Sequence, residues 1–319
     1  MAREARTGRE GQGDGQGRPE GEAEELPQSG GTDEVATPSR TPLFYAQHAE
    51  RYARQALIRE YEQLTDSSLI VVIDQIFPEN VTYLEELLFD CDKSRPLHVL
   101  LASPGGDGDT AIRMVRSMQS RCSELTMLVP DMAKSAATLM CLGANHVIMG
   151  PGGDLGPVDP QFQIGGRNLA SAKEIVAAID EAESRVKDSP ETFPLFAGLL
   201  ADVNMLMVEQ ARGALERTEA LVREALEACS NRTSRQVTKL AKALQAPLIE
   251  DPTSHSAVIS VEAARKFGLP AVKIDPTSPE WTLVWSLWCR YFTLGCFPAF
   301  PGVAIYEGNR ASHIMSPAS

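Results

Sequence analysis

The chain has 319 residues, of which 43% are hydrophobic and 23% charged, a globular balance with enough length for one large domain or two ordinary ones. Its net charge of −13 argues against nucleic acid as a partner, because phosphate binding needs clustered Lys and Arg. Aromatic residues are only 6%, so Val, Leu, Ile, Met and Ala must build the core.

Residues 1–40 are rich in Gly, Glu, Arg, Pro and Ser and read as a disordered tail, since too little apolar surface is available to offset the entropy of ordering. The tail lacks the apolar run of a secretory signal. Six cysteines (Cys91, Cys122, Cys141, Cys229, Cys289, Cys296) form no CxxC pair, so neither a zinc site nor a disulfide framework is expected. These features together point to a cytoplasmic protein.

Order is expected from Phe44, where Tyr45, Ala49, Tyr52, Ala56 and Arg59 recur at helical spacing, predicting an amphipathic helix to Leu64. Four short apolar runs follow: Leu69–Asp74, Leu97–Ser103, Leu125–Pro130 and His146–Gly150. Each has the length of a buried parallel strand. Helical periodicity fills the gaps at Asn80–Cys91, Asp109–Arg121 and Ser135–Gly143. Strand starts recur about every 21–28 residues, the pitch of right-handed βαβ units. The fold class is therefore α/β with a parallel sheet, over residues 41–165 including the N-terminal helix.

Residues 166–275 change character. Long helices are predicted at Ser171–Lys187, Asn204–Cys229 and Ser234–Leu244, then a closing helix at Ser260–Phe267 stopped by Gly268. This helical half is expected to cap a site, to serve as an oligomerisation arm, or both. The last segment, 276–319, opens with the Trp-rich stretch Trp281–Phe297. It is short for a membrane span and carries Arg290 near its middle, so it reads as a helix packed on the body or on another subunit.

Two loops sit at the C-terminal ends of adjacent predicted strands, where open α/β sheets place their ligands. In Ser103-Pro104-Gly105-Gly106-Asp107-Gly108-Asp109, consecutive glycines leave backbone N–H groups free to approach a substrate; the loop is either an oxyanion hole or a tight βα turn. In Pro130-Asp131-Met132-Ala133-Lys134-Ser135-Ala136-Ala137-Thr138, Ser135 stands between strand and helix. It is either an ordinary N-cap or a nucleophile on a sharp elbow.

Taken together, SPGGDGDTA and AKSAATLMCLGANHVIMGPGGDLGPVDPQ resemble the ClpP/crotonase superfamily. The branch they resemble is the SDH-family Clp-fold serine proteinases, related to signal peptide peptidase A and the NfeD-type proteases. The likeness runs from about Leu69 to Gln161 and continues weakly through SHSAVISVEAARKFGLPAV, which is similar to the family's terminal helix and strand and implies a closing strand after the closing helix. It implies a ClpP/crotonase-like spiral of βαβ units, here with a helical C-terminal half, and a serine peptidase with no metal or organic cofactor. It makes Ser135 the nucleophile, with Gly105, Gly106 and the Ala136 N–H as the oxyanion hole.

The base is where the sequence departs from the pattern. The stretch matching the ClpP histidine is GPVDPQ, which offers only Asp159, a weak base for a serine near neutral pH. Relatives that use a lysine on a later helix direct attention to the stretch holding Lys173 and Lys187; Lys134 is a candidate because it adjoins the serine, and His255 is a further possibility in its loop. His146 reads as structural. Alternatives to the peptidase are a crotonase-like acyl-CoA enzyme and a catalytically silent scaffold that has lost its base. The resemblance further implies a homo-oligomer acting on a peptide or protein substrate, with a membrane-protein or unfoldase partner possible. The chain has no ATPase-type GxxxxGK[ST] loop.

Overall fold

The structure is a computed structural model that describes residues 40–164, 168–250, 257–296 and 302–316. The expected N-terminal tail up to residue 39 and His255 lie outside the described residues.

Helix α1 (Pro42–Thr65) begins with Pro42 at its first turn and with Thr41 as cap, whose hydroxyl accepts from the Phe44 N–H at 3.3 Å. Three βα repeats follow: β1 (Ser68–Ile73) and α2 (Asn80–Leu88), β2 (Leu97–Ala102) and α3 (Gly108–Ser120), β3 (Leu125–Val129) and α4 (Ala136–Leu142). The short strand β4 (Met132–Ala133) interrupts the third connection, and β5 (His146–Met149) follows α4. The four predicted main strands and their helices are thus present, each strand one residue shorter than its apolar run at the C-terminal end.

Beyond β5 come β6 (Asp154–Leu155) and an antiparallel hairpin, β7 (Gln161–Ile164) with β8 (Asn168–Ser171). Helix α5 (Ala172–Asp188) opens with a capping box between Ser171 and Glu174. Then follow α6 (Phe193–Leu199), α7 (Met205–Ala228) and α8 (Ser234–Gln245), with one wide turn at Ala246–Glu250. The chain closes with α9 (Val261–Lys266), β9 (Ala271–Lys273), α10 (Pro279–Thr293) and the hairpin β10 (Ala304–Glu307)–β11 (Ser312–Met315). The C-terminal half supplies three strands to the main sheet: β9, a strand following the closing helix as expected, and the unexpected pair β10 and β11.

That sheet has the order β11-β10-β1-β2-β3-β5-β9. From β1 to β9 the pairings are parallel, and only the β10–β11 edge runs antiparallel. Both faces are covered, which is why the central strands are continuous apolar runs with no alternation. One face packs on α2, α3 and α4, with α7, α8 and α9 outside them. The other face is covered by α1 and α10, through Ile58, Tyr61, Trp281, Val284, Leu287 and Tyr291. The Trp-rich stretch is thus a helix laid on the body. Among the described residues no helix is long and apolar enough to cross a membrane.

Arg54 on α1 and Glu307 on β10 join this second layer to the sheet edge through a fully buried pair, at 2.7 and 3.1 Å. The Tyr291 hydroxyl of α10 donates to the same carboxylate at 2.8 Å. With three hydrogen bonds on Glu307 from two residues on two helices, the charge is compensated where water cannot reach it.

Candidate active site

Ser135 follows β4 and precedes α4 with φ +50° and ψ −117°. A non-glycine residue in this region is strained by about 1–3 kcal/mol, a cost retained where the surroundings over-determine it. The surroundings here do so. The Ser103 N–H donates to the Met132 carbonyl and the Lys134 N–H to the Ser103 carbonyl, both at 3.0 Å, so the glycine loop and the serine loop are stitched together. The Ser135 N–H donates to the Pro157 carbonyl at 3.1 Å, and the Thr138 hydroxyl lies 2.8 Å from the carbonyls of both Ala133 and Gly156. The Ser135 side chain makes no cap hydrogen bond. That separates the two readings of the serine: it has the position of an N-cap but not its hydrogen bond, and it has the backbone of an elbow.

Gly105 and Gly106 divide their tasks. Gly105 (φ +107°) lies flat against the elbow; a Cβ there would be 2.6 Å from the Ser135 Cβ and 2.8 Å from the Lys134 carbonyl oxygen. Its N–H is used internally, donated to the Ser103 hydroxyl at 3.1 Å. Gly106 (φ +140°) packs on Ile76, where a Cβ would meet the carbonyl oxygen at 2.2 Å. Neither the Gly106 nor the Ala136 N–H has an acceptor among the described residues. Of the expected oxyanion-hole residues, Gly105 provides the close approach with its own N–H already used, while the Gly106 and Ala136 N–H groups are left without an acceptor among the described residues.

Ser135, Ala136 and Gly106 open on a cleft of about 190 Å³ whose further walls are Leu139, Val158, Asp159, Pro160 and, from α7, Ala214, Arg217, Thr218 and Leu221. The α7 residues escaped the sequence reading, although their i, i+3, i+4, i+7 spacing marks one helix face. Arg217 is held at the rim by Asp109 and Glu224. A larger groove of about 330 Å³ lies at the other end of the sheet, by Ser68–Ile70 and Asn309. Its thiol, Cys91, has its pKa pushed up by burial, and its serine, Ser68, sits at the start of an ordinary strand, so the strained elbow in the smaller cleft is the candidate site.

The base candidates separate clearly. The Lys134 side chain turns away from the cleft: its ammonium pairs with Asp154 at 2.8 Å and donates to the carbonyls of Leu155 and Ala257 at 3.2 and 3.3 Å. Adjacency in sequence does not bring the two side chains together, because Lys134 is drawn to Asp154 while Ser135 opens on the cleft. Lys173 does not line the cleft either, and its ammonium donates to the Glu250 carbonyl at 3.1 Å. Asp159 does line it. Burial raises the Asp159 pKa to about 6, with Lys173 pulling it down, Glu174 pushing it up and Ser171 pulling it down. His146 is on the surface beside Glu124, 3.7 Å away, far along β5 from the elbow. Among the described residues no group of three or more His, Cys, Asp or Glu is placed to hold a metal ion.

A family model described as ClpP-like SDH-type serine proteinase matches residues 43–284. The chain belongs to this family. An uncharacterized protein of Methanocaldococcus jannaschii is 24% identical over 242 residues, covering 72% of this chain and 75% of that one. A second from the same organism is 21% identical over 174 residues, covering 54% and 51%. The family match spans every element from α1 to the middle of α10, so α7 and its contribution to the cleft lie inside it. The ClpP-like fold of this proteinase family explains why a parallel sheet ends in two stitched loops. Among the described elements, the second half of α10 and the strands β10 and β11, which extend the sheet beyond β1, fall outside the match.

Proposed function

We propose that the protein is a serine peptidase that forms an acyl-enzyme on Ser135. The observation that carries this reading is the elbow itself: a strained, uncapped serine beside two unused N–H donors and a carboxylate-lined cleft. The Ser135 oxygen attacks the peptide carbonyl, and the developing oxyanion accepts from Gly106 and Ala136, each such donor lowering the barrier by about 3–4 kcal/mol. The C–N bond then breaks, the amine leaves with a proton, and water hydrolyses the ester to restore the serine.

The serine proton needs a base. Asp159 is the carboxylate in the cleft, and a pKa near 6 makes it a better acceptor than an ordinary aspartate while leaving it mostly ionised at pH 7. His255 is the second candidate. The described chain before it docks on the cleft wall, with the Val158 N–H donating to the Leu248 carbonyl at 2.9 Å; the chain after it bridges Ile259 to Leu155. Lys134 and Lys173 we assign to holding these segments and not to proton transfer.

The test is cleavage of a mixed peptide library, read by mass spectrometry, together with labelling by a fluorophosphonate. Wild type is expected to cleave and to be labelled; Ser135→Ala, still folded, should lose at least about a thousandfold in rate and all labelling. A wild-type protein inert to both reagents across neutral and alkaline pH would return the chain to the scaffold reading.

We further infer a homo-oligomer. Phe193, Leu195 and Leu199 on α6, with Met205 and Leu206 at the start of α7, are 60–68% exposed. Five large apolar side chains grouped at one corner are the mark of a surface that another chain covers.

A further inference from the structure

On the face of the sheet away from α4, the C-terminal ends of β3 and β5 meet the first turns of α10. Trp281, Trp285 and Trp288, spaced i, i+4 and i+7, bring three indoles to one side of that helix. With Pro130, Asp131, Pro151 and Gly152 they enclose a pocket of about 310 Å³. Trp281 and Trp288 are rigid walls, 8% and 7% exposed, while Trp285 stands 47% exposed at the mouth. The rings of Trp281 and Trp285 stack with centroids 5.7 Å apart. Trp281 is locked from behind, since a Cβ on Gly150 would come within 2.4 Å of its ring.

Asp131 is the charged residue of this lining; its backbone carbonyl accepts from the Asp154 N–H at 2.8 Å, but its carboxylate has no hydrogen-bond or ion-pair partner among the described residues. The cation next to it in the chain, Lys134, is turned to Asp154. Burial raises the Asp131 pKa, and the Asp154 charge adds to the effect against a smaller opposing pull from Lys134. A half-buried carboxylate without a counter-ion is costly, and it stands among aromatic faces that carry negative quadrupole potential. The two features favour the same ligand. An anion is repelled by both, a neutral apolar group leaves the carboxylate desolvated, and a bare metal ion finds one oxygen and apolar walls.

We propose that this pocket binds an organic cation, an alkylammonium or guanidinium head group, with Asp131 as counter-ion and the three indoles as walls. The site is separate from the serine cleft. It is reached from the opposite face of the sheet and shares with the cleft only the loop that runs from Asp131 to Ser135.

Ligand-observed saturation-transfer NMR on the full chain tests it, with choline, its uncharged tert-butyl isostere dimethylbutanol, and N-acetylarginine amide as probes. Choline or the arginine amide is expected to bind saturably, at least about tenfold tighter than the isostere. The preference for charge should vanish in Asp131→Asn and binding should weaken in Trp285→Leu, while Ser135→Ala binds as wild type. Tighter binding of the arginine amide assigns the site to a basic side chain of a polypeptide; tighter binding of choline assigns it to a free quaternary ammonium. An isostere that binds as tightly as the better of the two cations, or no saturable binding of either cation by folded protein, overturns the proposal. Should Asp131→Asn fail to fold, the isostere comparison and Trp285→Leu decide it.

Discussion

Lys134 and Asp159 lie at opposite ends of one question, which groups near Ser135 can take a proton. The Lys134 ammonium is surrounded by one carboxylate and two carbonyls, so Lys134→Gln should strand Asp154 and lower stability by about 2–4 kcal/mol, seen as a lower urea midpoint. The alkaline side of the pH–rate profile should not move; a lost limb there would make the lysine a base after all. Asp159 behaves oppositely. Its folded pKa of about 6 stands above the ordinary 3.8, so the folded state holds a proton that the unfolded state releases. Its contribution to stability is full below about pH 4 and is lost as pH rises to about 6, by at most about 3 kcal/mol. Asp159→Asn should therefore gain stability over wild type above pH 6, and the gap should close near pH 4. If the carboxylate is the base, kcat/KM rises with a midpoint near 6 in wild type and the limb disappears in Asp159→Asn. A limb that disappears in His255→Ala assigns the base there. At this scale the serine was legible, because small residues, a strand end and a helix start coincide. The split of duties between Gly105 and Gly106 was not, because which N–H is free depends on φ angles that Gly-Gly leaves open.

Elements pack by the faces their sequences bury, and the Arg54–Glu307–Tyr291 cluster is the exception that fixes three of them. Glu307→Gln leaves the Arg54 charge without its carboxylate at 2% exposure, and a loss of about 3–5 kcal/mol is expected. Arg54→Met with Glu307→Gln should cost less than the sum of the single changes, and a double-mutant cycle by chemical denaturation measures the difference. Additive effects would show the pair to be uncoupled. The core βα elements and the long helices could be read from period and capping residues alone. The β10–β11 hairpin could not: AIYE and SHIM are short, and a buried glutamate in a strand paired on both sides is the reverse of the usual pattern. Helix α6, seven residues with a Pro at its start, is below the length at which helical periodicity can be counted. In the β7–β8 hairpin QFQI does alternate, but over only four residues, and its partner NLAS does not.

For the whole molecule, the consequence of the helical extension is that α7 closes one side of the serine cleft while its first turn carries part of the apolar corner. If that corner is the contact between copies, Leu206→Glu should convert the assembly to monomers by light scattering, with the melting curve of the single chain little changed. A wild type that is already monomeric would remove the proposal. Sheet order beyond the four predicted strands was not legible, because it depends on which distant segment pairs with an open edge. That dependence also governs synthesis. Glu307 lies 253 residues after Arg54, and β10 covers the edge of β1, the first strand made. At a ribosomal rate of about 5–20 residues per second, roughly 13–50 s pass before the covering strand exists. Through that interval the backbone groups along one side of β1 are open to any extended chain, and the arginine above them has no counter-ion. The fold therefore cannot be finished vectorially. The nascent protein must wait, with its oldest strand uncovered, for one of its youngest.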